Sequence, residues 1–269
     1  MFAELAGDHD VNMLQCAVGQ GDRRFAAMLD VAPERVQLDH VGLNHLTWER
    51  SVWVDGNDAL PDMLETRLAE LAAEVELPAT LIEMLRVVPS YYLRYFYAHD
   101  EVLREQLHSP SRAEAVTAVE NELLELYADP TQNTKPAALE LRGGAFYSDA
   151  AVELIASLRS NRGDVQVVNV ANNGSLPFLP DDHVIEVPAV IGANGVTAVE
   201  VAPLDADFAA LVEHVAGYER LALDAAIHGG RERVTRALLA HPLVGQYDRA
   251  EKLTDLLIDN NRDHLAWAR

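Results

Sequence analysis

The sequence predicts an α+β fold, with many helices around a small mixed sheet. Short alternating apolar segments occur early, near 36–41 and 50–56, and again between 163 and 201. Between them, and over the last seventy residues, apolar side chains recur at helical spacing. Alternation at period two marks half-buried strands, and a period near 3.6 marks helices packed on one face.

In chain order, Val11-Asn12-Met13-Leu14-Gln15 reads as a strand fragment that delivers Cys16. Phe25, Met28 and Leu29 predict a short helix over 22–29, and Val36-Gln37-Leu38-Asp39-His40-Val41 a strand. A second strand spans 50–56 and ends in an Asp55-Gly56 turn. Helices are expected over 60–75, with Pro61 in the first turn, and over 80–88, bracketed by Pro78 and Pro89. Five aromatics fall within 91–97, a density more common in packing than in chemistry. Helices follow over 100–107 and 111–127, then a loop from Asp129-Pro130 to Lys135-Pro136. A helix from 149 to 158 comes next, then strands at 165–170, 184–190 and 196–201, the last two joined as a hairpin through Ala193-Asn194-Gly195. Helices over 205–228, 231–240 and 248–259 close the chain.

A net charge of −22 over 269 residues argues against nucleic acid and against an anionic membrane surface, since both need clustered Lys and Arg. One or two local arginines can still hold a small phosphate. A single cysteine forms no internal disulfide, which fits a reducing cytoplasmic setting. No apolar run reaches the length of a membrane span, and the first residues lack a basic signal-peptide region.

The stretch Gly42-Leu43-Asn44-His45-Leu46-Thr47-Trp48 stands out, because a carboxamide and an imidazole side by side in an apolar setting need partners. Cys16 lies 45 − 16 = 29 residues before His45. A thiolate and an imidazole suit a divalent transition ion, though a core histidine and an inert cysteine fit the same spacing. Arg142-Gly143-Gly144 before a helix start capped by Ser148 could hold an anion or simply begin a helix. No Gly-x-Gly-x-x-Gly follows a strand, so the chain shows no phosphate-cradling dinucleotide fold.

Taken together these motifs resemble glycoside hydrolase family 4, and within it the 6-phospho-β-glucosidases. Val41-Gly42-Leu43-Asn44-His45-Leu46-Thr47-Trp48 is similar to the family's metal-histidine segment, and Cys16 sits where the family places a metal-binding cysteine. Pro89-Ser90-Tyr91-Tyr92-Leu93-Arg94-Tyr95 resembles a Pro-x-x-Tyr-Leu-x-Tyr segment and puts Tyr92 at the catalytic tyrosine. Arg112 falls at a substrate-contacting arginine, 112 − 92 = 20 residues later. The segments Arg142–Ser148 and Asn172-Asn173-Gly174 also look like the family's.

The resemblance implies Cys16 and His45 as ligands of Mn2+ or another divalent metal, and Asn44, Arg112 and Arg142 as substrate-binding residues. It implies NAD as cofactor, a phosphorylated β-glucoside as substrate, and a homodimer or homotetramer. The implied reaction differs from two-carboxylate glycoside hydrolysis. NAD removes hydride from carbon 3, Tyr92 as tyrosinate takes the proton from carbon 2, and the aglycone leaves by elimination. Two departures stand beside this. The family's N-terminal Rossmann domain is missing, so residues 1–269 read as one C-terminal catalytic and oligomerisation domain, with 1–41 the remnant edge of the NAD-binding one. The family's Cys-Asn-Val-Pro-Ile-Gly is here Cys16-Ala17-Val18-Gly19-Gln20-Gly21, so position 17 offers no polar contact. The other reading is therefore a truncated, non-catalytic paralogue that only oligomerises or binds a phosphosugar.

Overall fold

The computed structural model describes residues 15–16, 21–142 and 147–268, with backbone alone for Gln15, Cys16, Glu140, Arg142, Tyr147, Ser148 and Asp149. The expected fragment at 11–14, Ala17 and the glycine pair 143–144 lie outside these residues. The helices are α1 (Gly21–Leu29), α2 (Leu60–Thr66), α3 (Leu68–Val75), α4 (Ala79–Leu85), α5 (Arg94–Tyr97) and α6 (His99–His108). They continue as α7 (Arg112–Ala128), α8 (Ala138–Arg142), α9 (Tyr147–Ser160), α10 (Ala206–His228), α11 (Arg231–Ala240) and α12 (Tyr247–Asn261). The strands are β1 (Gln15–Cys16), β2 (Val36–Leu43), β3 (Leu46–Val54), β4 (Asn57–Asp58), β5 (Val88–Pro89), β6 (Asp164–Ala171), β7 (Val184–Gly192) and β8 (Gly195–Ala198).

These strands form one sheet in the order β1-β6-β7-β2-β3-β4, with β5 on β3 and β8 on β7. Every described pair is antiparallel, where the sequence suggested a mixed sheet. Three of the seven pairs, β2–β3, β3–β4 and β7–β8, are joined by tight turns, which allow only antiparallel pairing. The Asp55-Gly56 turn joins β3 to β4 as expected, with φ of 49° and 83°. Two long ladders, β2–β3 and β6–β7, meet at a single registered pair, Gly42 opposite Glu186.

One core gathers Phe25, Val36, Leu38 and Val52 from α1, β2 and β3 with Leu60, Met63, Leu71 and Ile82 from α2–α4. A second joins Val41, Leu43, Trp48, Ile185 and Val187 to Phe208, Leu211 and Val212 of α10. Trp48 stacks on Phe208 with ring centroids 4.7 Å apart. A bulge in β3 sets Arg50 and Ser51 opposite Asp39, and Arg50 bonds both Asp39 and the carbonyls of Ala202 and Pro203, ahead of α10.

Several elements depart from the sequence reading: the strand expected over 50–56 runs from Leu46 to Val54, and β4, β5, α5 and α8 have no counterpart in it. The helix expected over 60–75 breaks at Arg67 (φ −126°, ψ 20°), whose guanidinium is drawn to the Met28 carbonyl at the end of α1. The helix expected to reach 88 ends at Leu85, because Arg86 turns left-handed (φ 58°) and Val88-Pro89 joins the sheet. The last strand stops at Ala198 rather than 201. The other expected helices lie within two residues of expectation, and α7 begins on a capping box between Ser111 and Glu114.

A polar row crosses the seam between the two ladders. His40 is buried with Nδ1 2.7 Å from Glu49 Oε1 and Nε2 2.8 Å from Glu186 Oε1. A neutral imidazole would turn a lone pair toward one carboxylate, so both nitrogens carry protons. Burial alone would push the imidazole pKa down. The charge of Glu49 and the hydrogen bonds to both carboxylates outweigh that and raise it to about 10.

Two outcomes are expected. Gly42 has φ +152°, and a Cβ there would lie 1.9 Å from the Leu46 carbonyl oxygen. Gly42→Ala should therefore cost about 2 kcal/mol or more in urea unfolding, as a backbone clash with no soft neighbour. The raised pKa of His40 gives the second. Its stabilisation is complete below the unfolded value of 6.5 and is lost as pH rises toward about 10. The urea midpoint should fall across that window, and His40→Gln should remove the slope as well as lowering the midpoint at pH 6.5.

Candidate active site

The hairpin β2–β3 turns through two residues, Asn44 and His45, with Leu43 opposite Leu46 and His45 left-handed at φ 66°. The segment that carries the metal-histidine resemblance is thus a hairpin tip. Pairing of β5 on β3 brings a second segment to this tip. Trp48 faces Pro89, Glu49 faces Val88, and the Ser90 amide donates to the Thr47 carbonyl at 2.8 Å. Because the pairing is antiparallel, the chain then runs toward Leu46 and His45. Ser90 caps the turn Tyr91–Leu93. Tyr92 lands with its ring centroid 4.3 Å from that of His45, tilted by 53°.

Tyr91 competes with Tyr92 on sequence, and the geometry separates them. Arg94 is buried and donates to the Tyr91 hydroxyl at 3.1 Å, while it pairs with Glu76 at 2.9 Å and Glu105 at 2.6 Å. The hydroxyl of Tyr91 is therefore engaged inward. Tyr92 is 48% exposed beside the hairpin tip.

Asn44 is exposed at the same tip, yet its amide nitrogen reaches Glu186 Oε2 at 3.2 Å and Asn169 Oδ1 at 3.5 Å. Asn169 stands opposite Gln15 in β1, and Cys16 is the next residue, opposite Val168. The register thus carries β1 to the strand that Asn44 touches. By donor chemistry, a thiolate and an imidazole suit a divalent transition ion. Among the described residues, no three His, Cys, Asp or Glu side chains gather as a metal group.

Arg112 is exposed in the first turn of α7, and Arg142 ends α8, which packs on α7. Asn172 is consumed by its own loop: its amide donates to the carbonyls of Leu176 and Leu179 and accepts from the Leu176 amide. That accounts for its segment structurally. The sequence reading missed His40, Glu49, Asn169 and Glu186. The available signal was a charged or polar residue on an alternating apolar strand, as in Ile185-Glu186-Val187. An apolar cavity of about 370 Å³ between α10, α11, α12 and the C-terminal turn lies away from all of these residues.

Comparison with known proteins gives this arrangement its relatives. The profile of the family 4 glycosyl hydrolase C-terminal domain matches residues 40–244. A probable 6-phospho-beta-glucosidase of Bacillus subtilis is 34% identical over 251 residues, which cover 89% of this chain and 57% of that protein. The 6-phospho-beta-glucosidase of Thermotoga maritima is 31% identical, over 90% of this chain and 59% of that one. The solved Thermotoga enzyme, bound to NAD and glucose-6-phosphate, superposes with a TM-score of 0.85 at 30% identity over 93% of this chain and 60% of its own. A second crystal of it holds manganese as well, with a TM-score of 0.84. The chain therefore spans somewhat under two thirds of these relatives, and among the described residues no helix is long and apolar enough to cross a membrane. By fold and by sequence, the chain belongs to the family 4 glycosyl hydrolases, whose C-terminal domain it carries.

Proposed function

We propose that this chain supplies the catalytic C-terminal part of an NAD- and manganese-dependent 6-phospho-β-glucosidase. The observation that carries the proposal is the approach of Tyr92 to His45 at 4.3 Å, across two segments brought together only by the β3–β5 pairing. The β configuration rests on identities of 34% and 31% to β-glucosidases against 23% to a phospho-α-glucosidase.

In this reading Cys16 and His45 hold the divalent ion. When bound, that ion supplies Lewis-acid polarisation of the sugar oxygens, and NAD supplies hydride exchange at carbon 3. Tyr92 takes the proton from carbon 2 and is exposed on the side where a sugar can approach. Its competitor Tyr91 is held back by Arg94. Asn44, Arg112 and Arg142 bind the substrate, whose phosphate a guanidinium can hold with paired hydrogen bonds. Residues 1–269 act as one unit in a cytoplasmic homodimer or homotetramer. Exposed Leu107, Leu124, Tyr127 and Ile155 on α6, α7 and α9 offer apolar surface for that assembly. Ala17, where the family has asparagine, favours the second reading, a paralogue that binds phosphosugar without turning it over.

Titration of the 269-residue protein with Mn2+ in a calorimeter should show one site. Cys16→Ser and His45→Ala should each weaken it by at least about tenfold, since each removes a ligand. Unchanged binding in both removes the metal assignment. Activity is tested on the chain fused to the N-terminal part of a family relative. There Tyr92→Phe should slow exchange of the carbon-2 proton into solvent by at least about a hundredfold, the scale of a lost general base. Exchange that survives in Tyr92→Phe but is lost in Tyr91→Phe moves the base to Tyr91. No exchange in the fused protein itself, even with Ala17→Asn, favours the non-catalytic paralogue.

A further inference from the structure

We infer that Glu186, locked by His40 and Glu49, is a positioning residue that fixes Asn44 as a hydrogen-bond acceptor, so that the sugar must offer a hydroxyl donor at that point. The inference rests on the reading of Asn44 as a sugar-contacting residue and adds what holds it and which way it faces.

The argument follows one chain of contacts. Glu186 Oε1 accepts from His40 Nε2 at 2.8 Å, so the carboxylate is held at one end by a buried cation. Its other oxygen, Oε2, accepts from Asn44 Nδ2 at 3.2 Å and from Asn169 Nδ2 at 3.4 Å. A carboxylate accepts and never donates, so Asn44 must turn its NH2 inward. Asn169 Oδ1 also lies 3.5 Å from that nitrogen. With its NH2 turned to Glu186, exposed Asn44 offers its carbonyl oxygen outward.

His40 is held from behind in turn. Its Nδ1 donates to Glu49 Oε1 at 2.7 Å. A Cβ on Gly21 would come within 2.9 Å of that oxygen, so the glycine at the start of α1 leaves the space that the Glu49 carboxylate occupies. Glu49, His40, Glu186 and Asn44 thus form one line of hydrogen-bonded side chains that ends at the hairpin tip. None of the inner three need touch substrate.

An exchange of donor and acceptor tests this. Asn44→Asp faces the Glu186 carboxylate with a second carboxylate and should weaken glucose-6-phosphate binding to the 269-residue protein by about tenfold in calorimetry, the size of one lost hydrogen bond. Glu186→Gln lets two amides compete and should weaken binding similarly. The double variant Asn44→Asp with Glu186→Gln restores one donor facing one acceptor and should bind within about threefold of wild type. A merely structural Glu186 gives no such rescue. A double variant no better than Asn44→Asp alone overturns the inference, as does wild-type binding in Glu186→Gln. If wild type binds no glucose-6-phosphate, the phosphosugar reading fails, and the inference is then decided by the Asn44 side-chain amide in 1H–15N spectra of wild type. The proton that faces Glu186 should be protected from solvent exchange and should resonate away from those of free amides. A free, rapidly exchanging pair overturns it, and this readout does not require any variant to fold.

Discussion

The structure depends on a buried imidazolium between two carboxylates. The sheet consists of two well-paired halves, one around β2 and β3 and the other around β6 and β7, and between them the strand register holds a single pair, Gly42 and Glu186. A seam so thinly bonded in its backbone needs side chains to close it. His40 of β2 reaches Glu49 of β3 on one side and Glu186 of β7 on the other, and so joins the halves with two charge-assisted hydrogen bonds. Burying a charge is costly, and the cost is offset only because both ring nitrogens find anionic oxygens at good distance.

The same seam explains why the site lies where it does. Asn44, His45 and Tyr92 come from the first half, through the hairpin tip and the strand β5 that leans on it. Cys16 comes from the second, through β1 on β6. The proposed site, drawn from both halves, is only as well ordered as the joint between them. The polar row therefore sets the geometry of residues it does not itself include. It also carries one more negative than positive charge, from Glu49 and Glu186 against His40.

Elsewhere the chain shows the usual division between packed and solvated helices. In α7 Leu123 is the buried residue of seventeen, so its stability comes from its cap and its own hydrogen bonds more than from a core. In α10, by contrast, Phe208, Leu211 and Val212 cover Trp48 and the strands beneath it. The first kind of helix is free to carry arginines outward, as α7 does with Arg112.

The sequence by itself determined the class of fold, most helix limits, the Asp55-Gly56 turn and the motifs that point to family 4. Those features are local: periodicity, caps and turn residues act within a few positions of where they are read. It also named Asn44, His45 and Tyr92, because a motif records residues whatever brings them together. Only the tertiary structure decided that Tyr92 and not Tyr91 faces His45. That choice depends on a two-residue strand pairing with β3 and on an arginine held by Glu76 and Glu105. Only the tertiary structure found the row of His40, Glu49, Glu186 and Asn169, whose members lie 9 and 146 residues apart along the chain at its two central bonds. Each is an unremarkable polar residue in its own strand. Their meaning arises when antiparallel pairing places them on one buried face, where charges must find each other or not be buried at all.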